Sequence, residues 1–275
     1  MGADEGMHPS ALRLIDHCVL PVADLGVARQ RLTVLGFTVA PEGVHPFGTR
    51  NACVYFADDT FLEPLAIGDA GAVSQAVAQG NVFVSRDGAY RREHGEEGFS
   101  ALVFKTDDAD ADHEAFSREG LSAGPMLTFS RPFVDSAGAS GMASFKLAFT
   151  AEPDEPATYF FTCQRIGSPK VDRSALERHA NGASGIRAIL AEAPDVDAAR
   201  GFLARTCPTA PEIVEIGQGA PGTGLRLSGI VLAVADRART EELFSAAGID
   251  YRRAGNRLIV PPAPGQGTIF AFEEA

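Results

Sequence analysis

The stretch LRLIDHCVLPVADLGVARQRLTVLGF, residues 12–37, contains in order an apolar strand, an acidic residue, an amphipathic helix and a glycine. Asp24 stands where the helix would begin and suits an N-terminal cap, and Gly36 stands where the helix would end. The chain then continues as extended apolar runs broken by turn signals, and the last of them is TFLEPLAI at residues 60–67. The predicted order of elements is therefore βαβββ.

This order recurs along the chain. GFSALVFKTDDADADHEAFSREGLSAG at 98–124 and RLSGIVLAVADRARTEELFSAAGI at 226–249 repeat it closely, and SGIRAILAEAPDVDAARGFLARTC at 184–207 repeats it without the final glycine. A fixed period of this kind marks a repeated supersecondary unit. Four βαβββ modules predict an α+β protein in which paired modules curl their mixed sheets into an open cup, with the helices outside. Such a cup is a natural ligand cavity.

The repeats divide the chain into two predicted domains. The first spans residues 1–167, with modules at 12–68 and 98–166. A linker is expected at 168–184, and a second, degenerate domain at 185–275 with modules at 185–222 and 226–275. The modules of the second domain lack the ligand-type residues described below. We expect them to cover the cup or to join two copies of the chain as a homodimer.

Composition and charge argue against several classes of protein. The formal net charge of −12 would repel a phosphate backbone, and no Lys/Arg-rich run is present. No stretch approaches the roughly 20 apolar residues of a membrane span, and the N-terminus lacks the features of a signal peptide. The four cysteines include no Cys-x-x-Cys pair. We therefore expect a cytoplasmic protein that binds neither nucleic acid nor a membrane.

Two polar residues stand out when the modules are aligned on the aspartate that begins each helix. His17 lies seven residues before Asp24. The residues at the same offset in the other modules are Ala101, Ala188 and Gly229. Glu63 lies in an otherwise apolar strand, where a carboxylate must be solvated, paired or bound to a cation. Its expected counterpart in module two is Gln164.

The order and spacing of these motifs resemble the vicinal oxygen chelate superfamily of glyoxalases, bleomycin-resistance proteins and extradiol dioxygenases. In that superfamily, a His on the first strand and a Glu on the last strand of a module meet inside the cup and bind a divalent metal. IDHCVLPV and DDTFLEPLAI place His17 and Glu63 at these two positions. FFTCQRIGSP, followed by HANGA at 179–183, is also similar to a stretch of the glyoxalase-like branch. The resemblance covers roughly the first 185 residues.

The resemblance implies a divalent ion, Zn, Ni, Mn, Co or Fe, held by His17, Glu63 and Gln164. Two residues depart from the pattern. Ala101 stands where the partner module would offer His or Gln, and Arg165 stands where relatives carry His. An Fe(II) site would call for two His and one carboxylate, so the missing second His argues against dioxygenase chemistry.

Two functions follow as alternatives. The first is a metal-dependent lyase or isomerase, with extradiol dioxygenation the less favoured chemistry, acting on a small substrate with vicinal oxygens. The second is a metal-free protein that binds or sequesters a small molecule, which Ala101 and Arg165 favour. His45 and His179 are interpreted as loop residues, although either could fold over the mouth of the cup. Arginine forks recognise carboxylate or enolate oxygens, and the expected substrate-binding residues are Arg50, Asn51, Arg131 and Arg165.

Overall fold

The computed structural model describes residues 14–134, 140–152, 155–167 and 172–275. The strands are β1 Ile15–Pro21, β2 Gly43–Val44, β3 Thr49–Asn51, β4 Val54–Tyr55, β5 Phe61–Ile67, β6 Ala101–Lys105, β7 Leu127–Val134, β8 Ser140–Glu152, β9 Glu155–Ile166, β10 Ala183–Ala193, β11 Val214–Gln218, β12 Arg226–Val234, β13 Arg252–Ala254, β14 Arg257–Val260 and β15 Ile269–Glu274. The helices are α1 Leu25–Val34, α2 Ala70–Ala78, α3 Val82–His94, α4 Ala109–Arg118, α5 Val196–Thr206, α6 Ala210–Ile213 and α7 Arg237–Ala246. The α+β class with curved mixed sheets is confirmed.

The aspartates used to align the modules cap their helices. In each case a carboxylate oxygen accepts a hydrogen bond from the backbone N–H three residues ahead, at 2.9 to 3.0 Å. This satisfies one of the N–H groups that a helix leaves unpaired at its start. The four caps are Asp24, Asp108, Asp195 and Asp236.

The first sheet joins modules one and two through their first strands. Its order is β2-β3-β5-β1-β6-β9-β8-β7, and β4 also pairs with β5. β1 and β6 are antiparallel, with Cys18 opposite Leu102, while β1 pairs with β5 and β6 with β9 in parallel. The two modules are thus related by an approximate two-fold axis at the Cys18–Leu102 pair. This register fixes which residues of the two modules are equivalent.

The sheet curls until its two ends meet. Gly43 lies on β2 and Arg131 on β7, at opposite ends of the strand order. A Cβ on Gly43 would lie only 2.6 Å from Nη1 of Arg131. The sheet therefore forms a nearly closed barrel, and the absent side chain of Gly43 leaves room for the guanidinium at the seam.

The second sheet repeats the plan in shortened form, in the order β11-β10-β12-β15-β14-β13. Module four keeps a complete set of elements from β12 to β15. Module three passes from α5 through the short α6 directly to β11, which pairs in parallel with β10. Among the described residues, no helix is long and apolar enough to cross a membrane.

One hydrophobic core runs through both sheets. It includes Leu20 and Leu62 of the first sheet together with Ile230 and Phe272 of the second. Phe37 lies between the sheets, with its ring centroid 6.1 Å from that of Phe272. The two predicted domains thus bury apolar surface against each other.

The HANGA segment, residues 179–183, ties the second sheet to the first module. The backbone N–H of Thr38 donates to His179 Nδ1 at 3.0 Å, and His179 Nε2 donates to the carbonyl oxygen of Tyr55 at 2.9 Å. The amide of Asn181 donates to the carbonyl oxygen of Leu35 at 2.9 Å. Burial lowers the pKa of His179, which suits a neutral ring in this role. His179 is therefore a structural bridge rather than part of the cup.

Candidate functional site

His17 lies inside the cup and is held by the residue before it. Successive strand residues normally face opposite sides, but the register between β1 and β6 slips between Ile15 and His17, which makes Asp16 the extra residue of a bulge. His17 Nδ1 donates to Asp16 Oδ1 at 2.7 Å, and its ring stacks on Phe61 with centroids 4.3 Å apart. These contacts fix the ring and direct Nε2 into the cup.

Glu63 is buried with its carboxylate facing the ring of His17, and three side chains surround this carboxylate. His17 Nε2 lies 3.4 Å from Oε2. The amide of Asn51 donates to Oε1 at 2.6 Å, and His45 Nε2 lies 3.7 Å from the same oxygen. Only 5% of Glu63 is exposed. The carboxylate is therefore paired rather than solvated, one of the three alternatives that its sequence context left open.

Protonation at this cluster follows from burial and charge. Burial would raise the pKa of Glu63, but the hydrogen bond and charge of His17 lower it to about 2. Burial would lower the pKa of His17, but its hydrogen bonds to Asp16 and Glu63 raise it above the ordinary value. Asp16 is also buried, yet His17 and Arg165 hold its pKa below the ordinary value. The two carboxylates thus favour the protonated form of the His17 ring.

A carboxylate also joins His17 to the second module. Asp16 Oδ1 accepts from Arg165 Nη2 at 2.6 Å as well as from His17. Arg165 lies on β9 and lines the cup beside Cys163. Burial raises the pKa of Cys163 well above its ordinary value, so this thiol is neutral. Asp16 is therefore the positioning residue for two cations of the cup.

The cup is open at its mouth and encloses a cavity of about 50 Å3. Its polar lining consists of the cluster just described together with Arg131 on β7. Its apolar lining is mostly aromatic and comprises Phe47, Phe61, Phe83, Phe129, Phe145, Leu147 and Phe161.

His45 enters the site from the β2–β3 turn, where the sequence was interpreted as a loop. Its ring stacks on Phe47 with centroids 5.0 Å apart, and Nδ1 lies 2.9 Å from the hydroxyl of Thr49. Burial lowers the pKa of His45 to about 4; the charge of Glu63 opposes the shift, and those of Arg131 and His17 add to it. His45 is therefore a neutral imidazole at neutral pH.

We expect His45 to make folding pH-dependent. The unfolded chain takes up a proton near the ordinary value of 6.5, whereas the folded chain resists it down to about 4, so stability falls as pH falls between these values. His45→Gln, which keeps a hydrogen-bonding group near Thr49, removes this contribution. From about pH 7 to about pH 5, wild type should lose roughly 2 kcal/mol more unfolding free energy than the variant. Urea unfolding at both pH values measures this, and parallel losses in the two proteins would contradict it.

The structure brings together some of the predicted site residues. His17 and Glu63 meet, Asn51 binds Glu63, and Arg131 and Arg165 line the cup. These side chains come from five different strands of the first sheet.

Gln164 and Arg50 lie elsewhere. The side chain of Gln164 bonds the start of α4, donating to the carbonyl oxygen of Asp107 and accepting from the N–H of Ala109. Arg50 pairs with Glu42 at 3.0 Å on the surface. The reason is alternation along a strand, since a residue whose neighbour faces the cup must face away. Gln164 and Arg50 therefore do not belong to the cup.

The register also corrects the counterpart of Glu63. Val19 pairs with Glu63, and Val103, the equivalent of Val19 across the two-fold axis, pairs with Phe161. Phe161 thus occupies the Glu63 position of module two, and Ala101 occupies the His17 position, as the sequence offset indicates. Where a two-module metal site would take two ligands from each module, module two presents a methyl group and a phenyl ring.

The donor set does not fit a metal site of that kind. In the described part of the chain, no three His, Cys, Asp or Glu side chains form a group that could hold a metal ion as they lie. The two predicted ligands face each other, with His17 Nε2 3.4 Å from Glu63 Oε2. The positive charge of Arg165, bound to the same aspartate as His17, further disfavours a divalent cation.

His45, Asp16 and the phenylalanines of the cup are not among the site residues predicted from the sequence. One signal was available for the aromatic residues: Phe145 and Leu147 on β8, and Phe161 and Cys163 on β9, follow the period of two expected for one face of a strand. Asp16 and His45 had no such signal. A bulge and a hairpin turn bring them to the site.

Comparisons with known proteins agree with this architecture. The model of the glyoxalase-like domain matches residues 15–207, and no curated protein matches the sequence. A hypothetical protein from Staphylococcus aureus is 14% identical with a TM-score of 0.67, covering 95% of this chain and 99% of its own. A mutant 4-hydroxymandelate synthase from Streptomyces coelicolor is 12% identical with a TM-score of 0.61, covering 95% and 92%.

A Mn(II)-bound glyoxalase from Novosphingobium aromaticivorans has the same fold at 11% identity, with a TM-score of 0.52 over 94% of this chain and 81% of its own. Identities this low speak for the fold alone. The family model, in contrast, spans well over half of the sequence, including both modules that build the cup. The chain belongs to the family of glyoxalase-like domains.

Proposed function

We propose that the cup binds a small organic molecule without a divalent metal. The observation that carries this proposal is the pair Ala101 and Phe161, which fill the module-two positions equivalent to His17 and Glu63. Loss of both partner positions leaves His17 and Glu63 to pair with each other. Structural metal affinity depends on ligand number and on a satisfied outer shell, and half of the ligand set is missing.

The charge pattern supports the same function. When His17 carries a proton, His17 and Arg165 together balance the charges of Asp16 and Glu63, which would otherwise attract a cation. A metal would have to displace that proton, because an imidazole nitrogen binds metal only when it is deprotonated. The family's cup shape is retained while its polar residues are engaged with each other. Reversible binding or sequestration of a small molecule is the function that this arrangement serves.

A metal-dependent enzyme is the second candidate, favoured by one observation. His17 donates Nδ1–H to Asp16 and turns Nε2 toward Glu63, which is how metal-ligating histidines are usually oriented. His45 Nε2, 3.7 Å from Glu63, is the nearest further donor. A site of this kind would draw its ligands from module one alone and would require the side chains to rearrange.

Metal analysis distinguishes the two candidates. We expect protein purified without chelators, then supplied in turn with Mn, Fe, Zn, Co and Ni and desalted, to hold no stoichiometric metal. His17→Ala and Glu63→Gln are the matched variants, and their residual metal should equal that of wild type. Mass spectrometry of the metal content gives the readout. About one equivalent in wild type that both variants lose would replace the metal-free proposal with the enzyme candidate.

A further inference from the structure

The inference that follows rests on the proposed function and concerns the chemical class of the ligand. Six of the described residues that line the cup are phenylalanines, and five of these rings contact one another in a continuous chain. Phe61 faces His17, and Phe129 and Phe145 stack with centroids 5.1 Å apart on the β7–β8 side. Aromatic rings favour flat apolar partners in offset or edge-to-face contact. The body of the ligand is therefore expected to be flat and apolar.

Arg131 is the polar group of the cup that has no acidic partner. Among the described residues, no Asp or Glu oxygen lies within ion-pair distance of its guanidinium, whereas Arg165 is paired with Asp16. The guanidinium carbon of Arg131 lies 5.8 Å from the ring centroid of Phe145. Its planar fork thus lies beside an aromatic wall, a geometry suited to a carboxylate attached to a ring.

The charged side chains of the cup also favour an anionic ligand. Two arginines, Arg131 and Arg165, line the cup, and Asp16 pairs with Arg165. Among the described residues no carboxylate balances Arg131, so its guanidinium presents a positive charge to the cup inside a chain whose net charge is −12. A local field of this kind in a cleft attracts anions and repels cations.

We infer that the ligand is a small aromatic carboxylate whose carboxylate pairs with Arg131 and whose ring packs among the phenylalanines of the cup. The seam of the barrel supports this role. Gly43 has no side chain, and a Cβ there would lie 2.6 Å from Nη1 of Arg131 and closer still to Oδ1 of Asn51. The glycine therefore allows the guanidinium to occupy its place at the wall. Arg131 determines specificity for an anion, and Gly43 positions it.

Calorimetric titration with matched acids and amides tests this inference on the full chain. The probes are benzoate with benzamide, and naphthoate with naphthamide. We expect each carboxylate to bind wild type about tenfold to a hundredfold more tightly than its amide. Arg131→Gln should reduce the affinity for the acid to that for the amide and leave the amide unchanged. Gly43→Ala should weaken acid binding in the same sense.

Arg50→Gln is the matched control, because Arg50 lies on the outer face of β3 and pairs with Glu42. This variant should bind both probes like wild type. Equal affinity for acid and amide in wild type, an unchanged acid preference in Arg131→Gln, or no binding of any probe would overturn the ligand class.

A chelator arm separates this inference from the metal-free proposal on which it rests. Treatment with EDTA followed by desalting should leave carboxylate binding unchanged, since Arg131 supplies the charge. If carboxylate binding disappears with the chelator and returns with added Zn, a metal holds the carboxylate, and the proposed function fails together with this inference. Equal binding of acid and amide by metal-free protein would overturn the ligand class alone.

Discussion

Asp16→Ala is expected to lower the free energy of unfolding by about 3 kcal/mol. Asp16 is fully buried, and one of its oxygens accepts hydrogen bonds from both His17 and Arg165. Without the carboxylate, an imidazolium held only by Glu63 and a guanidinium with no partner would stay at the wall of the cup. The estimate is at the low end for a broken buried pair, because the side chain of Arg165 is 35% exposed and can rehydrate.

Urea unfolding measures this loss, and the pKa of His17, followed by NMR of its ring, provides a second readout. The pKa should fall, since the hydrogen bond to Asp16 is the largest contribution that raises it. Glu42→Ala is the matched control, because it removes a carboxylate from a surface pair with Arg50 and should cost no more than about 0.5 kcal/mol. Equal losses in the two variants would show that Asp16 does not hold the two cations.

Gly48→Ala is expected to cost about 3 kcal/mol or more and to disturb the site. Gly48 has a φ of +91°, which disfavours any residue with a Cβ by about 1–2 kcal/mol. An added Cβ would also lie 2.6 Å from the carbonyl oxygen of Asp69 and 2.8 Å from the backbone nitrogen of Val73. These are backbone atoms at the start of α2 and cannot turn aside, so the turn that carries His45 and Phe47 must move.

Gly120→Ala separates backbone strain from steric clash. Gly120 has a φ of +70°, but nothing lies within 4 Å of a Cβ placed there. It should therefore cost about 1–2 kcal/mol and leave the cup intact. Urea unfolding gives the two stabilities, and benzoate titration gives the state of the cup. A loss in Gly48→Ala no greater than in Gly120→Ala, with benzoate binding unchanged, would show that the turn is not anchored on α2.

The repeat made the general fold predictable. Each module begins with an apolar strand and an aspartate that the structure shows capping a helix, and these local signals act over a few residues. The offset from the capping aspartate then located His17 and its equivalent Ala101, because Cys18 and Leu102, which pair at the two-fold axis, lie equally far before their capping aspartates. Features that depend on local geometry could thus be predicted from the sequence.

Strand alternation explains two predictions that placed too many residues in the cup. Adjacent residues of a regular strand face opposite sides, so Arg50 and Asn51 could not both face inward, and the same holds for Gln164 and Arg165. The structure places Asn51 and Arg165 inside. Alternation alone does not say which residue of each pair faces inward; Asn51 faces the cup because it pairs with Leu65, which lies on the same face of β5 as Glu63.

Other features of the site depend on long-range geometry. The bulge at Asp16 arises where β1 and β6 pair out of register. Three helices and four strands lie between these two strands in the sequence, so neither strand alone reveals the bulge. His45 reaches Glu63 because the β2–β3 turn folds inward against α2. The partner of Glu63 across the two-fold axis, Phe161, follows from strand pairing rather than from residue type.

The core that runs through both sheets, with Phe37 between them, bears on what a functional piece of this chain would be. The repeats suggest a cut after residue 167, where two complete modules have been made. Such a cut would remove Phe270 and Phe272 from the neighbourhood of Phe37 and leave that ring and its surroundings in water. An exposed apolar patch of this kind favours aggregation. The pair of modules that repeats in the sequence is therefore smaller than the piece of chain that we expect to stay in solution. The cup depends on the second sheet, although that sheet contributes no residue to its lining.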